Sequence, residues 1–420
     1  MKTKQNINKV TFASAFGTLF EWYDFLIYGT AAALVFNKLF FPHFDPMTGM
    51  LASLLAFSLG FIARPFGGIL FGHYGDKYGR KNTLMATMLL MGVSTFAIGL
   101  LPTYNDIGIW AAVLLVALRL LQGIAFGGEW GGASIMILEN APKERRGFYG
   151  SFIQMGYPLG VLLATGMFAL VTKLPEEDFM SWGWRIPFLV SILLVGVGVY
   201  VRRSLLETPV FEDMKSKNTV AKTPFIDIVF KEPKSLLIGI GLKITEVTWA
   251  YLLTVFVVIY AVNNMDIPRS VMINAVLVAS AINIFAIPLF GYLSDVLGRR
   301  PVYFAGSIIS IVMAYPIFNM FIAGDIMQAM ILGLVLGNAV MMAPLAAYLP
   351  EIFKSNVRYT GASFGCQVAA AIGGGVMPAV AAWLASMYGL HGVAILMIAL
   401  SVITLIATKF AGETANTELV

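Results

Sequence analysis

Seven charged side chains interrupt segments of the chain that are otherwise long and apolar. They are Glu21, Asp24, Arg64, Arg119, Glu129, Lys243 and Glu246. A charged group at the depth of a lipid bilayer costs several kcal/mol unless it is paired or hydrated. Because so few residues carry this cost, we expect them to hold the chemistry of the molecule, namely the binding of protons or of a charged ligand.

Two acids and one arginine predict a site that takes up and releases a proton. Glu21 and Asp24 are three residues apart and share one face of a helix. Asp24 and Arg119 each lie about halfway along an apolar segment. An arginine partner keeps an aspartate ionised, and an aspartate that loses this partner in an apolar cavity favours its protonated form. We therefore predict proton coupling by Asp24, Arg119 and Glu21; the alternative is a static ion pair that joins two helices.

Several basic residues predict an anionic or zwitterionic ligand. The guanidinium fork of Arg64 matches a carboxylate, to which it can donate two charge-assisted hydrogen bonds. Together with Arg119 and Lys243, it would make a cavity electropositive. The alternatives are that Arg64 pairs with Glu129, and that Lys243 pairs with Glu246 one turn away, in both cases only to hold helices together.

Polar and aromatic residues inside the apolar segments complete the predicted substrate site. Gln154, Tyr157 and Gln367 could each line a cavity or equally bridge two helices. Aromatic residues such as Trp249 mostly pack inside such segments or anchor at the membrane interface. The predicted substrate-binding residues are Arg64, Arg119, Gln154, Tyr157, Lys243, Glu246, Trp249 and Gln367.

The composition predicts the lipid environment in which these residues lie. Of the 420 residues, 58% are hydrophobic and 12% are charged, whereas soluble proteins average about 45–50% and about 25%. A spanning helix needs about 20 residues, because the hydrocarbon layer is about 30 Å thick and each residue rises about 1.5 Å. Segmentation on that length predicts twelve spans, near 10–36, 49–72, 83–102, 109–138, 148–172, 185–202, 236–262, 270–291, 302–322, 326–349, 361–387 and 391–410. The polar stretch 203–235 divides them six and six, which predicts an all-α membrane protein with two six-helix bundles, 1–202 and 236–420, and a linker between them.

The placement of lysine and arginine predicts the orientation in the membrane. Only Lys38, Lys173, Arg185 and Arg269 fall on the side opposite the termini. By the positive-inside rule, both termini and the linker are cytoplasmic. The net charge of +5 therefore reflects membrane topology, which argues against a nucleic-acid partner.

A short motif occurs twice in the chain. Residues 72–81 read GHYGDKYGRK, and residues 291–300 read GYLSDVLGRR. A second set of markers recurs as well, with Glu139 and Arg146 repeated as Glu351 and Arg358. Parallel repeats predict a ligand site near the bilayer midplane, where the two repeats face each other. The charged residues at the helix ends predict a gate that opens and closes, formed by Asp76, Arg80, Glu139, Asp295, Arg299 and Glu351.

The repeated loop, with the pattern G-x-x-x-D-x-x-G-R-[RK], resembles the signature of the major facilitator superfamily. Four further motifs resemble the metabolite:proton symporter family within it: Glu21-Trp22-Tyr23-Asp24-Phe25, Arg64-Pro65-Phe66-Gly67-Gly68, Gly127-Gly128-Glu129-Trp130-Gly131-Gly132 and Gly183-Trp184-Arg185-Ile186-Pro187-Phe188. The resemblance implies the twelve-helix major facilitator fold, a bacterial inner membrane, and proton symport of a metabolite such as shikimate, ketoglutarate, citrate, proline or betaine. Similar sugar porters share Asp24, Arg119 and the spacing from Arg119 to Glu139, which implies the same proton-coupling role for Asp24 and Arg119.

The expected function is secondary active uptake of a small organic acid with protons, by alternating access. The alternative substrate is a zwitterionic osmolyte such as proline or betaine. A drug-type proton antiporter is a further hypothesis, because Gly156-Tyr157-Pro158-Leu159-Gly160 loosely matches the exporter motif. The sequence lacks a GxxxxGK[ST] loop, which argues against an ATP-driven pump, and no nucleophile–base pair points to an enzyme. We expect a monomer that uses no cofactor and no metal ion.

Overall fold

Twelve long helices make up most of the part of the chain that the structure describes. The computed structural model describes residues 5–43 and 46–419. We number the membrane-spanning helices in chain order: α1 Ile7–Leu39, α2 Pro46–Tyr78, α3 Arg80–Leu100, α4 Ile109–Asn140, α5 Lys143–Val171, α6 Gly183–Arg203, α7 Pro233–Asn264, α8 Arg269–Leu297, α9 Arg299–Ala323 and α10 Ile326–Glu351. The stretch 358–411 holds α11 (358–388) and α12 (390–411).

The break between α11 and α12 falls at Gly389, whose φ of 63° lies in the left-handed region. Glycine adopts this conformation without steric strain, so it ends one helix and allows the next to begin. The twelve predicted spans are confirmed, including the gap between 387 and 391. Several helices run further than predicted, as in Pro46–Tyr78 for the span 49–72, because a helix continues past the residues that are apolar enough for hydrocarbon.

The segment between α6 and α7 contains two short helices, Pro209–Ser216 and Pro224–Lys231. Each turns apolar side chains inward: Phe211 and Met214 are buried in the first, and Ile228 is buried in the second. The predicted linker therefore packs against the bundle. The division of the chain into two domains at 203–235 stays a prediction.

The exterior of the bundle is apolar and its interior carries polar groups. Ile62, Phe66 and Trp110 are each at least 60% exposed, while Thr87 and Glu129 are fully buried. In water such an exterior would be unfavourable, but in a bilayer it meets lipid, and the helices satisfy their own backbone groups. The arrangement agrees with a membrane protein and leaves the interior as the place for polar chemistry.

Helices α2 and α4 approach so closely that their backbones touch. A Cβ atom added at Gly123 would lie 2.4 Å from the Gly60 carbonyl oxygen, and one added at Gly127 would lie 2.1 Å from that of Arg64. Small residues four apart permit this packing in membranes. The contact brings Arg64 on α2 and Arg119 on α4 to the wall of one cavity.

Among the described residues, four helices contain a short π-helical segment, a feature that the sequence did not predict. These segments are Ala32–Phe36 in α1, Leu252–Phe256 in α7, Gly333–Ala339 in α10 and Ala371–Val376 in α11. Wider π turns occur frequently at functional sites. In α1 and α7 they follow the buried acids Asp24 and Glu246 by about two turns.

Both described ends of the chain lie on one side of the bundle. The side-chain amide of Gln5 donates to the Leu206 carbonyl oxygen at 2.9 Å, and Lys143 Nζ lies 3.2 Å from Glu418 Oε1. We call this side the terminal face.

Candidate transport site

A small cavity among α1 to α4 collects four of the predicted charged residues. Its wall consists of Glu21, Asp24, Phe25, Gly60, Arg64, Met91, Arg119, Gln122, Gly123 and Phe126. The empty space between them is at most about 240 Å³, whereas small-molecule pockets usually measure about 300–1,000 Å³. The cavity is therefore closed around its charges in this state, and the surrounding helices must separate before a metabolite can enter.

A continuous chain of hydrogen bonds joins Asp24 to Arg119. The Thr95 hydroxyl donates to Asp24 Oδ2 at 2.5 Å, and Gln122 Nε2 donates to Thr95 Oγ1 at 2.6 Å. Arg119 Nη1 donates to Gln122 Oε1 at 3.3 Å, and the guanidinium carbon of Arg119 lies 4.4 Å from the ring centre of Tyr28. The direct Asp24–Arg119 ion pair that the sequence suggested is therefore wrong for this state, because Thr95 and Gln122 stand between the two charges. The proton-coupling roles of Asp24, Arg119 and Glu21 stay a prediction.

Arg64 is enclosed by aromatic rings. Its guanidinium carbon lies 3.6 Å from the ring centre of Phe126, 4.3 Å from that of Phe61 and 4.4 Å from that of Phe25. Within the described part of the chain, its Nη2 atom has no hydrogen-bond partner. The rings stabilise the cation while one N–H group stays free to donate to a ligand.

Glu129 does not pair with Arg64, which corrects the alternative stated for that residue. Both of its carboxylate oxygens instead accept from the guanidinium of Arg202, and the Thr87 hydroxyl donates to Glu129 Oε2 at 2.6 Å. Arg202 ends the predicted span 185–202 and occupies the last turn of α6, where an arginine is expected to face the membrane surface. Its 2% exposure shows that it turns inward instead.

Glu21 has an unusual environment for an acid. Its side chain is 1% exposed, and neither carboxylate oxygen finds a hydrogen-bond partner among residues 5–43 and 46–419. Arg64, Glu129, Arg202 and Lys243 all act on it electrostatically. An acid placed in this way can bind a proton or accept hydrogen bonds from a ligand.

Lys243 and Glu246 form an ion pair within α7, as their spacing allowed. The Asn338 amide of α10 donates to the Glu246 backbone oxygen at 2.8 Å and to Oε2 at 3.1 Å. Lys243 Nζ also lies 5.4 Å from the ring centre of Trp130 on α4. The pair thus contacts both the first six and the last six helices, so its contact with substrate stays a prediction.

Two further candidates, both glutamines, join helices. Gln154 accepts from Trp130 Nε1 at 2.9 Å and donates to the Met342 carbonyl oxygen at 2.8 Å. Gln367 Nε2 donates to the Phe126 carbonyl oxygen at 3.5 Å. These bonds support the bridging alternative for the two glutamines in this state.

Tyr157 packs against Trp22 of α1, with ring centres 4.8 Å apart. Trp22 in turn lies 6.4 Å from Tyr251 of α7. These rings link the first six helices to the last six beside the cavity, a position compatible with ligand contact.

The structure argues against substrate contact by Trp249. Its indole N–H donates to the Ser310 hydroxyl at 2.6 Å, and its ring stacks on Phe318 at 5.8 Å. Both partners belong to α9, so the side chain points into the interior of the last six helices. The sequence showed that Trp249 lies inside a span, but not the direction in which it points.

Two aspartates of the repeated motif bind the N-termini of helices across the molecule. Asp76 accepts from the backbone N–H groups of Tyr359 and Thr360, at 3.1 and 2.8 Å, and from the Thr360 hydroxyl at 2.9 Å. Asp295 accepts from the backbone N–H groups of Gly147 and Phe148, at 2.8 and 2.7 Å. Each acid therefore caps a helix that belongs to the other set of six.

The remaining predicted gate residues surround these caps at the terminal face. Arg80 lies 3.5 Å from Asp76 and 3.6 Å from Glu139, and it donates to the Ser355 carbonyl oxygen at 3.0 Å. Glu139 in turn accepts from Arg358 at 3.3 Å. In the second repeat, Arg299 binds Asp295 at 2.6 Å and Glu351 at 3.4 Å. All six predicted residues thus lie in two related networks, which keep the two sets of helices together on this side.

The sequence analysis missed two glutamates in these networks. Glu207, just after α6, accepts from the backbone N–H groups of Arg80 and Lys81 at 3.0 and 3.2 Å. Glu413, just after α12, accepts from those of Arg299 and Arg300 at 2.9 and 3.0 Å. A Glu-Thr pair occurs at both places, 207–208 and 413–414, and this repeat could have revealed them.

Family models match both parts of the chain. The model described as "Sugar (and other) transporter" matches residues 10–235, and the one described as "Major Facilitator Superfamily" matches residues 250–418. Among solved structures, the proton:xylose symporter XylE bound to 6-bromo-6-deoxy-D-glucose superposes with a TM-score of 0.80 at 17% identity. That superposition covers 98% of this chain and 97% of that one. It confirms the twelve-helix fold.

Curated relatives match over nearly the whole length. The shikimate transporter of Escherichia coli is 41% identical over 91% of this chain and 89% of its own. The inner membrane metabolite transport protein YhjE of the same species is 41% identical over 98% and 96%. The proline/betaine transporter of Salmonella typhimurium is 38% identical over 98% and 85%. The chain belongs to the major facilitator superfamily of multi-pass membrane transporters.

Proposed function

We propose that this protein takes up a small carboxylate together with protons, by alternating access. One observation carries the proposal, namely the set of charges in the buried cavity. Arg64 has a free N–H group there. Asp24 lines the same cavity and is hydrogen-bonded through Thr95 and Gln122 to Arg119. The free N–H group suits a carboxylate. The hydrogen-bonded aspartate suits reversible protonation, because its contact with Arg119 can change when helices move.

The names of the relatives support the same direction. They include carriers of shikimate and of proline or betaine, and the similar solved structure is named a proton symporter. By the same comparison we propose an inner-membrane location. The terminal face would be cytoplasmic, as the lysine and arginine distribution predicts, and we propose that the protein works as a monomer without enzymatic activity.

The two networks at the terminal face would act as the inner gate. In this state they hold α2 to the start of α11 and α8 to the start of α5. Release of both helix caps would let the two sets of six helices move apart on this side and open the cavity to the cytoplasm.

A zwitterionic osmolyte is the second candidate substrate. It is favoured by Glu21, whose unsatisfied carboxylate oxygens would accept from an ammonium group. A drug-type antiporter has less support, since the curated relatives named above are carriers of metabolites.

The test is uptake into proteoliposomes with an imposed proton gradient, using radiolabelled shikimate and proline. We expect accumulation that collapses when a protonophore is added. Asp24→Asn should abolish accumulation but retain exchange of substrate across the membrane, because asparagine fills the same space and cannot take up the proton. Asp106→Asn is the matched control, since Asp106 lies in an exposed capping box at Thr103, remote from the cavity. Normal accumulation by Asp24→Asn would remove this residue from the coupling step.

A further inference from the structure

An open groove lies at the terminal face, on the outside of the bundle where α1 meets the end of α6. It is lined by Lys9 of α1 and by Tyr200, Val201, Arg203 and Ser204 of the chain at the end of α6. The space in it, including the part open to its surroundings, is about 820 Å³. None of these residues belongs to the predicted transport site or gate, so the groove has no part in the transport mechanism proposed above.

Two basic side chains give the groove a positive charge. Lys9 and Arg203 are both exposed, and neither forms an ion pair with a residue that the structure describes. Lys9 Nζ lies 3.5 Å from the Ser204 carbonyl oxygen, which brings the ammonium group of α1 to the end of α6. Both side chains therefore have N–H groups with which to bind an anionic oxygen.

The side chains that continue from this groove toward the middle of the membrane are apolar and exposed. Phe12 on α1 is 57% exposed, and Val197 on α6 is 47% exposed. The surface of α6 is open beside them, because a Cβ atom added at Gly196 would meet no atom of another residue outside its own helical turn within 4 Å. Tyr200, which is 81% exposed, lies one turn nearer the terminal face, where the polar end of a tyrosine reaches the membrane interface.

We propose that this groove binds one anionic phospholipid, with its phosphate at Lys9 and Arg203 and an acyl chain along Gly196 and Val197. The basic side chains at the membrane surface select the headgroup, since they attract anionic lipids. The open surface of α6 provides the room for the chain. A zwitterionic lipid would bring its own cationic group close to the same two bases, so it should bind more weakly. The bound lipid would hold α1 and α6 together at the terminal face.

The internal repeat supplies a matched position at which the helix surface is filled. The two Glu-Thr pairs align Arg203 with Lys409 and Gly196 with Val402. Lys409 is also an exposed base near the end of its helix, but a valine side chain occupies the position that glycine leaves open on α6. Lys409→Gln therefore removes a comparable charge and controls for the general attraction between a basic face and anionic lipid.

The test counts the lipids that the full-length protein retains in detergent, by native mass spectrometry, during titration with dioleoylphosphatidylglycerol or dioleoylphosphatidylcholine. We expect the protein to retain one phosphatidylglycerol, and to bind phosphatidylcholine at least about tenfold more weakly. Lys9→Gln combined with Arg203→Gln should weaken the binding of phosphatidylglycerol at least about tenfold, because two basic contacts are lost. Gly196→Leu should weaken it by filling the path of the chain, whereas Lys409→Gln should leave it unchanged. An excess of inorganic phosphate should not displace the lipid, because phosphate has no acyl chain.

Each of the opposite results would overturn the proposal. Equal retention of the two lipids by the unmodified protein would show that the groove does not select an anionic headgroup, and this comparison needs no variant to fold. Unweakened binding by the double variant or by Gly196→Leu would place the lipid elsewhere. A loss for Lys409→Gln as large as that for the double variant would indicate general attraction to the basic face, and displacement by inorganic phosphate would indicate an anion site that needs no lipid.

Discussion

Asp76→Asn should open the terminal face. The aspartate accepts three hydrogen bonds from the first turn of α11 through its two oxygens. Asparagine has nearly the same shape, but it offers one acceptor oxygen and turns an NH₂ group toward a helix N-terminus. At least one backbone N–H group then loses its acceptor, and the negative charge beside the helix dipole is lost.

The structure sets the size of the effect. An unsatisfied buried N–H group costs about 1–3 kcal/mol, and loss of a charge at a helix N-terminus adds about 0.3–1 kcal/mol. The two costs apply only to the closed form, in which the cap is made. The closed form is therefore destabilised by about 1.3–4 kcal/mol relative to the open form. At about 1.36 kcal/mol per factor of ten, the ratio of closed to open molecules falls by about tenfold to nearly a thousandfold.

The chain contains a cysteine that can report the opening of the terminal face. Cys366 is its single cysteine, it is 3% exposed, and it lies on α11 about two turns from Arg358, within electrostatic range of Glu21, Arg64, Lys243 and Glu246. Alkylation by N-ethylmaleimide should be slow in the unmodified protein. In Asp76→Asn it should be at least about tenfold faster, because modification follows the open population.

The internal repeat supplies a matched variant, and the opposite side supplies a control. Asp295→Asn breaks the related cap at Gly147 and Phe148, so it should also speed alkylation. Asp106→Asn also removes a helix-capping aspartate, but on the other side of the molecule, and should leave the rate unchanged. If both gate variants fold and their alkylation rates stay within twofold of the unmodified protein, the caps do not hold this face closed.

Three other variants test separate parts of the structure. Arg202→Met should lower the free energy of unfolding by about 3–5 kcal/mol, because it leaves Glu129 charged and unpaired. Arg202→Met combined with Glu129→Gln should recover most of that loss in chemical denaturation, and a double variant no more stable than the single one would contradict the ion pair. Gly127→Leu should prevent folding, since its Cβ would lie 2.1 Å from the Arg64 carbonyl oxygen. Gly166→Leu should express normally, because a Cβ atom added there would meet no atom of another residue outside its own helical turn within 4 Å. Equal yields of the two variants would disprove the close packing of α2 and α4. Thr95→Val interrupts the bonds between Asp24 and Gln122 and should reduce proton-driven accumulation more than exchange, whereas equal losses in the two assays would point to a structural role.

The sequence predicted the positions of residues along the membrane normal better than their directions. Hydropathy placed twelve spans and the break at Gly389, and the repeat identified both gate motifs. The sequence could not show the rotation of each helix about its axis, because a single residue such as Trp249 is compatible with a span whichever way its side chain points. The same limit explains why Asp24 and Arg119 were paired directly, although Thr95 and Gln122 separate them.

Two misses have a different physical cause. Arg202 lies where a span gives way to a basic loop, and a count of charges treats every residue there as exposed. The acids Asp76 and Asp295 were assigned to the gate because they are charged, yet their main contacts across the molecule are with backbone N–H groups. Backbone donors at a helix N-terminus leave no mark in the side-chain sequence, so only the fold reveals them.

The position of the two Glu-Thr pairs has a consequence for how the protein can be assembled. In the first set of six helices, Glu207 follows α6 and caps the start of α3. In the second set, Glu413 follows α12 and caps the start of α9. Each set therefore supplies this cap from its own chain. A cut between Lys217 and Asn218, which are both exposed, would leave each fragment with its complete set of such caps. Two separately translated pieces, 1–217 and 218–420, should therefore meet in the membrane and restore a working carrier, as separate genes for the two halves would.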